Sequence, residues 1–330
     1  MHRYWQRPWA QKALYAAIGC IGWGCGAGVA QAAYPDRAIT LQVGFAAGGP
    51  TDVMARVIAT ELGAELKQSV VVDNKPGAGS NIAAAYVARA KPDGYTLLMV
   101  AVTSAINQTL YAKPGFELNR DFAAIGLVGK IPSMLVVTPQ LPANSVQELV
   151  AYAKANPGKL TFGSSGSGTS VHIAGEMFKA AANIDVTHIP YRGSAPAGTA
   201  VMAGQVSYIF DNVPTVAPYV QAGRMRALAV TTKERLTSAP SIPTMAESGF
   251  PDFDVSSWYG LIAPAKTPPE VIATVNRALQ KVLARADFQE RMSIMGVVVQ
   301  PGTPDGFGQF IRAETERWAP IVKASGAMVD

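Results

Sequence analysis

The chain is 330 residues long, 49% hydrophobic and 15% charged, enough apolar material for a large core shared between two domains or lobes. Its formal net charge of +5 falls to +2 when Arg3, Arg7 and Lys12 are set aside, because no acidic residue precedes Asp36. The rest carries no run of Lys or Arg and no basic stripe with interleaved aromatics, which excludes nucleic acid as a partner.

Residues 1–32 read as a secretory signal peptide. Residues 1–12 are basic, 13–29 are apolar and uncharged, and Ala30-Gln31-Ala32 forms an A-x-A cleavage site, so the mature chain is predicted to start near Ala33. The apolar stretch is short and glycine-rich for a membrane span. Neither Cys20 nor Cys25 has a Leu three residues before it, which argues against a lipid anchor. Both cysteines lie inside the leader, so the mature chain is expected to have no disulfide and no thiol chemistry. Export without disulfides fits a bacterial periplasm.

Residues 39–45 read as a buried strand, and Val53, Ala55, Val57, Ile58 and Leu62 as the apolar side of a helix from about Thr51. Between them lies Ala46-Ala47-Gly48-Gly49-Pro50, a glycine turn with a proline suited to the first helical position. Such a junction gathers free amide N–H groups and the positive end of a helix dipole, which suits an anion. Asp52 reads either as a cap on those N–H groups or as an acceptor for a ligand's donor.

A short strand at 70–73 leads into Lys75-Pro76-Gly77-Ala78-Gly79-Ser80-Asn81, then a helix through Ile82, Ala85, Tyr86 and Ala88 capped by Ser80 or Asn81. Residues 95–102 form a third strand, and Thr103-Ser104 opens a short helical piece. The alternation predicts a mostly parallel sheet covered on both faces.

Strands follow at 123–128 and 134–138, and Ser145-Val146-Gln147-Glu148 is a capping box opening a helix to about 156. A strand at 160–163 ends in Ser164-Ser165-Gly166-Ser167-Gly168-Thr169-Ser170, and the next helix carries Val171, Ala174, Met177, Phe178 and Ala181 on one face. Strands at 187–190, 206–210 and 225–230 and helices at 195–203 and 214–221 complete a second β/α set. Tyr191-Arg192 and Asp211-Asn212 stand at strand ends; Arg192 reads as a counter-charge or a solvated side chain, and Asp211 as a ligand group or part of a plain turn. Residues 240–253 are proline-rich and irregular, followed by a strand at 255–263 and amphipathic helices at 269–285 and 304–323. The simplest arrangement has a first lobe of residues 33–131 plus 253–330 and an inserted second lobe of 132–252, with a hinge where the chain crosses between them.

Three glycine-rich turns therefore stand at carboxyl ends of strands, where open α/β sheets hold ligands. The first lacks the Lys of a P-loop, no stretch completes G-x-G-x-x-G in the right place, and Ser167 replaces the last glycine of a G-x-S-x-G elbow. His172 and His188 are the only histidines after the leader. With no cysteine beside them, catalytic, metal and cofactor roles are not expected. A serine hydrolase using Ser165 or Ser167 stays as an alternative, requiring an imidazole in hydrogen-bond reach.

The run Gly44-Phe45-Ala46-Ala47-Gly48-Gly49-Pro50-Thr51-Asp52, followed by Val72-Asp73-Asn74-Lys75-Pro76-Gly77-Ala78-Gly79-Ser80-Asn81, resembles the Bug family of periplasmic solute receptors of tripartite tricarboxylate transporters. The resemblance continues through residues 91–97, Gly163-Ser164-Ser165-Gly166, residues 188–193 and Trp258-Tyr259-Gly260, and so runs in order over the whole chain after the leader. It implies a two-lobed, type II periplasmic-binding (Venus flytrap) α/β fold. It also implies a monomeric receptor with a small carboxylate-bearing ligand in the cleft, no cofactor, and a membrane permease as partner; a sensor that signals instead of feeding a permease is the alternative. The ligand-binding residues it implies are Phe45, Ala46, Gly48, Gly49, Thr51, Asp52, Gly77, Ala78, Gly79, Ser80, Asn81, Ser104, Ser165, Gly166, Gly168, Thr169, Tyr191 and Asp211.

Overall fold

A computed structural model describes residues 34–191, 193–326 and 328. The expected leader, with Cys20 and Cys25, and Arg192 lie outside the described residues. From residue 37 onward the chain forms one body.

The first β/α set comprises β1 (Ile39–Val43), α1 (Pro50–Leu66), β2 (Val70–Asn74), α2 (Asn81–Ala88), β3 (Thr96–Ala101), α3 (Val102–Leu110) and a single turn α4 (Leu118–Asp121). β4 (Phe122–Val137) then leads to α5 (Val146–Ala155), β5 (Leu160–Ser164), α6 (Ser170–Ala182), β6 (Val186–Pro190), α7 (Ser194–Met202), β7 (Tyr208–Asn212), α8 (Val213–Gln221) and β8 (Arg226–Val230). The chain ends with β9 (Ser256–Pro264), α9 (Pro269–Ala284), α10 (Ala286–Ile294), β10 (Val298–Val299) and α11 (Pro304–Ser325).

The strand order is β2-β1-β3-β9-β4-β7-β5-β6, with β8 and β10 also paired to β4. β1 runs parallel to β2 and β3, and β5 parallel to β6 and β7, as expected of βαβ units. β9 and β4 run antiparallel to their neighbours, so the sheet as a whole is mixed. β4 joins the two halves: residues 122–132 pair with β9, and residues 133–137 pair with β7 and β8.

Two strands were expected where β4 runs unbroken. Two register shifts against β9 absorb extra residues, and Pro132 sits where β4 leaves β9, so its missing N–H interrupts no ladder within either half. Along its second half the side chains alternate between two cores. Leu135 and Val137 join the large core with Phe162, Phe178, Phe210, Trp258 and Trp318, while Met134 and Val136 face Ala197, Val201 and Val216 under α7 and α8.

Helix signals translate locally. Pro50 occupies the first turn of α1, whose buried stripe is Met54, Ala55, Ile58 and Leu62, whereas Val53 points to solvent. Ser145 Oγ accepts the Glu148 N–H at 3.1 Å, and the Glu148 carboxylate accepts the Asn144 N–H at 2.7 Å, one residue earlier than the expected capping box. α4, α10 and β10 are short elements that the periodicity did not mark. Among the described residues no helix is long and apolar enough to cross a membrane.

Candidate ligand site

The first turn, 44–49, is held by a carboxylate. Asp52 Oδ2 accepts the Gly48 N–H at 2.8 Å and Arg56 Nε at 2.9 Å, and Oδ1 accepts Asn74 Nδ2 at 2.9 Å. Asn74 also donates to Phe45 O and accepts from Arg56, closing a network that fixes both ends of the turn. The Arg56 hydrogen bond outweighs burial and holds the Asp52 carboxyl at about 2. Asp52 thus shapes the turn, and Arg56 is spent on it. Thr51 and Asp52 follow Pro50 in the first helical turn, where their N–H groups have no acceptor within α1.

The second turn is conformationally unusual. Gly77, Ala78, Gly79 and Ser80 all have positive φ (133°, 46°, 60° and 81°), and two of them are not glycine. Such a run survives only when its surroundings enforce it. Here Asn107 of α3 donates to both Gly79 O and Asn81 Oδ1, at 2.8 and 2.7 Å. The Ser80 and Asn81 N–H groups are used on Gly77 O and Ala78 O, leaving those of Ala78 and Gly79 without a protein acceptor among the described residues. Ser80 stands at the helix entrance without capping it, its hydroxyl packed against Gly44, where any Cβ would collide with it. The first two turns are therefore in direct contact. Lys75 lies over the Tyr86 ring at 4.7 Å.

The third turn, 164–169, caps α6. Thr169 Oγ1 accepts the His172 N–H and donates to Gly166 O, while Ser164 Oγ exchanges hydrogen bonds with Gly166. Tyr191 N–H and Gly193 N–H bind Ser164 O and Ser165 O, tying the end of β6 to this turn. Gly168 abuts Leu110 of α3, so the third turn meets the first β/α set there. Ser170 Oγ lies 3.1 Å from Ser257 Oγ of β9, which donates to Asn212 Oδ1 at 3.1 Å. Ser104 is buried in the first turn of α3.

Asp211 is the penultimate residue of β7 and is 1% exposed. Its Oδ1 accepts from Ser194 Oγ (3.1 Å) and the Asn212 N–H (2.7 Å), but Oδ2 has no partner. Burial pushes this carboxyl up to about 6. Tyr259 of β9 lies beside the Thr51 side chain and feels the charge of Asp211, and burial pushes its phenol up to about 12. Tyr259 therefore links the first turn to the end of β7. Tyr259, Ser194, Asn212 and Ser257 were not among the sequence-derived site residues; the visible signals were the Trp258-Tyr259-Gly260 run for Tyr259 and the strand-end Asp211-Asn212 pair for Asn212.

No imidazole is hydrogen-bonded to Ser165 or Ser167 among the described residues. His188 Nε2 instead meets Ser164 Oγ at 2.7 Å, and Ser164 is fully buried and committed to its own turn.

Comparison with known proteins places this geometry. Residues 54–327 match the family described as tripartite tricarboxylate transporter family receptor. The chain belongs to this family. Among solved structures it is similar to Rpa4515 of R. palustris with adipate, at 35% identity and a TM-score of 0.81, covering 90% of this chain and all of that one. It is also similar to the periplasmic binding protein BugD, at 36% identity and a TM-score of 0.77 over 89% and 99% of the two chains. MatC of Rhodopseudomonas palustris with bound malate gives 31% identity and a TM-score of 0.77, over 88% of this chain and all of that one. The fold is accordingly the two-lobed α/β architecture of periplasmic binding proteins, and the Bug resemblance read from the turns is met. The family is one of solute-binding receptors.

Proposed function

We propose that this receptor captures a small carboxylate-bearing organic acid between its lobes and delivers it to a tripartite tricarboxylate-type permease, acting as a periplasmic monomer after cleavage near Ala33. The lobes are residues 33–131 plus 253–330 and residues 132–252. The observation that carries the reading is the contact of the first two turns, with the third turn reaching α3 at Leu110, where spare N–H groups come from helix starts and a positive-φ run and the nearby cations of the described residues are engaged elsewhere. An anion is neutralised there by amides and hydroxyls. Adipate and malate in the related structures support a carboxylate.

Asp211 refines the class of ligand. A buried carboxylate with an orphaned oxygen rejects a second anion and welcomes a donor. The preferred acid therefore carries a hydroxyl or ammonium group beside its carboxylate. Several amide contacts at about 1.5–3 kcal/mol each, less the cost of ordering, give affinities near micromolar.

A thermal-shift screen of malate, adipate, aspartate, acetate and an uncharged sugar tests this. Malate or aspartate at about 100 times its dissociation constant should add about 2.7 kcal/mol of stability. A response to the sugar alone, or to none of the acids, overturns the reading.

A further inference from the structure

Behind the third turn lies a polar cluster that the binding site does not use. His172, in the first turn of α6, accepts the Gly168 N–H on Nδ1 at 3.1 Å. An acceptor nitrogen must carry a lone pair, so the ring is neutral with its proton on Nε2. His188 of β6 stacks on it with ring centroids 4.0 Å apart, and Phe162 stacks against His188 at 4.8 Å and lies 6.4 Å from His172. His188 in turn holds Ser164 Oγ, so both ends of the turn hang on this pair of rings.

We propose that His172 is a positioning residue that latches the third turn in its ligand-holding shape through Gly168, and that protonation of its imidazole releases the turn. The effect on ligand rests on the function proposed above; the latch itself does not. A protonated ring presents N–H at Nδ1, so two donors face each other and the Gly168 bond is lost. Only one of two rings stacked at this distance can take a charge readily, which makes the pair titrate as a unit.

The surroundings keep the ring neutral until the medium is acid. On α6, Glu176 Oε1 lies 3.8 Å from His172 Nε2 and favours its charge, but Lys179 stands on the same carboxylate at 3.9 Å. From β7 the buried Tyr208 phenol faces the cluster, and its ionisation is strongly suppressed by burial. α3 contributes no titratable side chain, and α11 spends Glu314 and Arg317 on each other. Burial dominates and depresses both imidazoles to about 4. The latch is therefore fully closed at neutral pH and opens as the pH falls toward about 4.

The test follows the Gly168 amide by NMR in the full mature chain without ligand, from neutral pH to about pH 4, in wild type, His172→Asn and His172→Ala. Asn places a non-titrating acceptor near the Nδ1 position. Wild type should lose Gly168 exchange protection and shift its amide resonance in acid, His172→Asn should do neither, and His172→Ala should lack protection already at neutral pH. Calorimetry with malate then gives an affinity ratio of wild type to His172→Asn that is near unity at neutral pH and drops several-fold at about pH 4; malate's own titration cancels in that ratio. Wild type and His172→Asn responding alike to acid, or Gly168 staying protected throughout, overturns the latch even if His172→Ala does not fold. Absence of malate binding at neutral pH with the expected amide behaviour counts against the proposed ligand class and leaves the latch standing.

Discussion

Asp52 and Asp211 are both buried carboxylates near strand-to-helix junctions, yet their surroundings differ sharply. Asp52 has three donors and a carboxyl held at about 2, so the stability it contributes is present above the ordinary value of 3.8 and is lost only as pH falls toward about 2. Asp211 has one satisfied oxygen, one orphan, and a carboxyl raised to about 6. Its charge is present above about 6 and lost below it. Asp211→Asn is therefore expected to weaken malate by about 1.5–3 kcal/mol at pH near 7.5, the worth of a hydrogen bond to a charged group. Wild-type affinity should fall toward that of the variant as pH drops through about 6, measured by calorimetry against the same acid. Equal affinities at pH near 7.5 would show that the orphan oxygen faces no ligand donor.

At the scale of the elements, the turns depend on backbone direction more than on side-chain charge. Gly79 has φ +60°, and a Cβ there would lie 3.0 Å from Asn107 Nδ2, the group that pins the turn. Gly48 has φ +82° but open space around it, so Val there meets only backbone strain, about 1–3 kcal/mol. Lys75 touches the face of Tyr86, an exposed contact worth about 0.5–1 kcal/mol. The expected order of damage to binding is Gly79→Val, then Gly48→Val, then Lys75→Ala with little effect, read by titration with the tightest acid from the screen. Binding lost in Lys75→Ala but retained in Gly79→Val would replace the amide cradle with a lysine contact.

The whole molecule is bridged by β4, which changes partners between Pro132 and Ser133, and by the return of the chain into β9 at Ser256. These are two connections between otherwise separate strand sets; if they act as the proposed hinge, a ligand that touches turns on both sides favours the closed form. Small-angle scattering should show a smaller radius of gyration on saturation with ligand. An unchanged profile would mean that the receptor binds without closing.

Much of this was legible from the chain alone because the signals are local. Pro50 at a helix start, Ser145 with Glu148 at another, and glycines where φ must be positive act within a few residues of themselves, so the sequence by itself determined the βα alternation, the three turns and the family. What tertiary structure alone decided has long sequence separation behind it. The union of 122–137 into one strand depends on β9 more than a hundred residues later. Tyr259 comes to Thr51 and Asp211, Ser257 to Ser170 and Asn212, and His188 to Ser164 only once β9, β6 and β7 have taken their places in the sheet. The role of Asp52 also waited on Asn74, which β2 delivers beside it. A carboxylate or an imidazole carries no mark in the sequence of which donor will reach it; burial and the partners brought by the fold decide whether it shapes the site, meets the ligand, or senses acid.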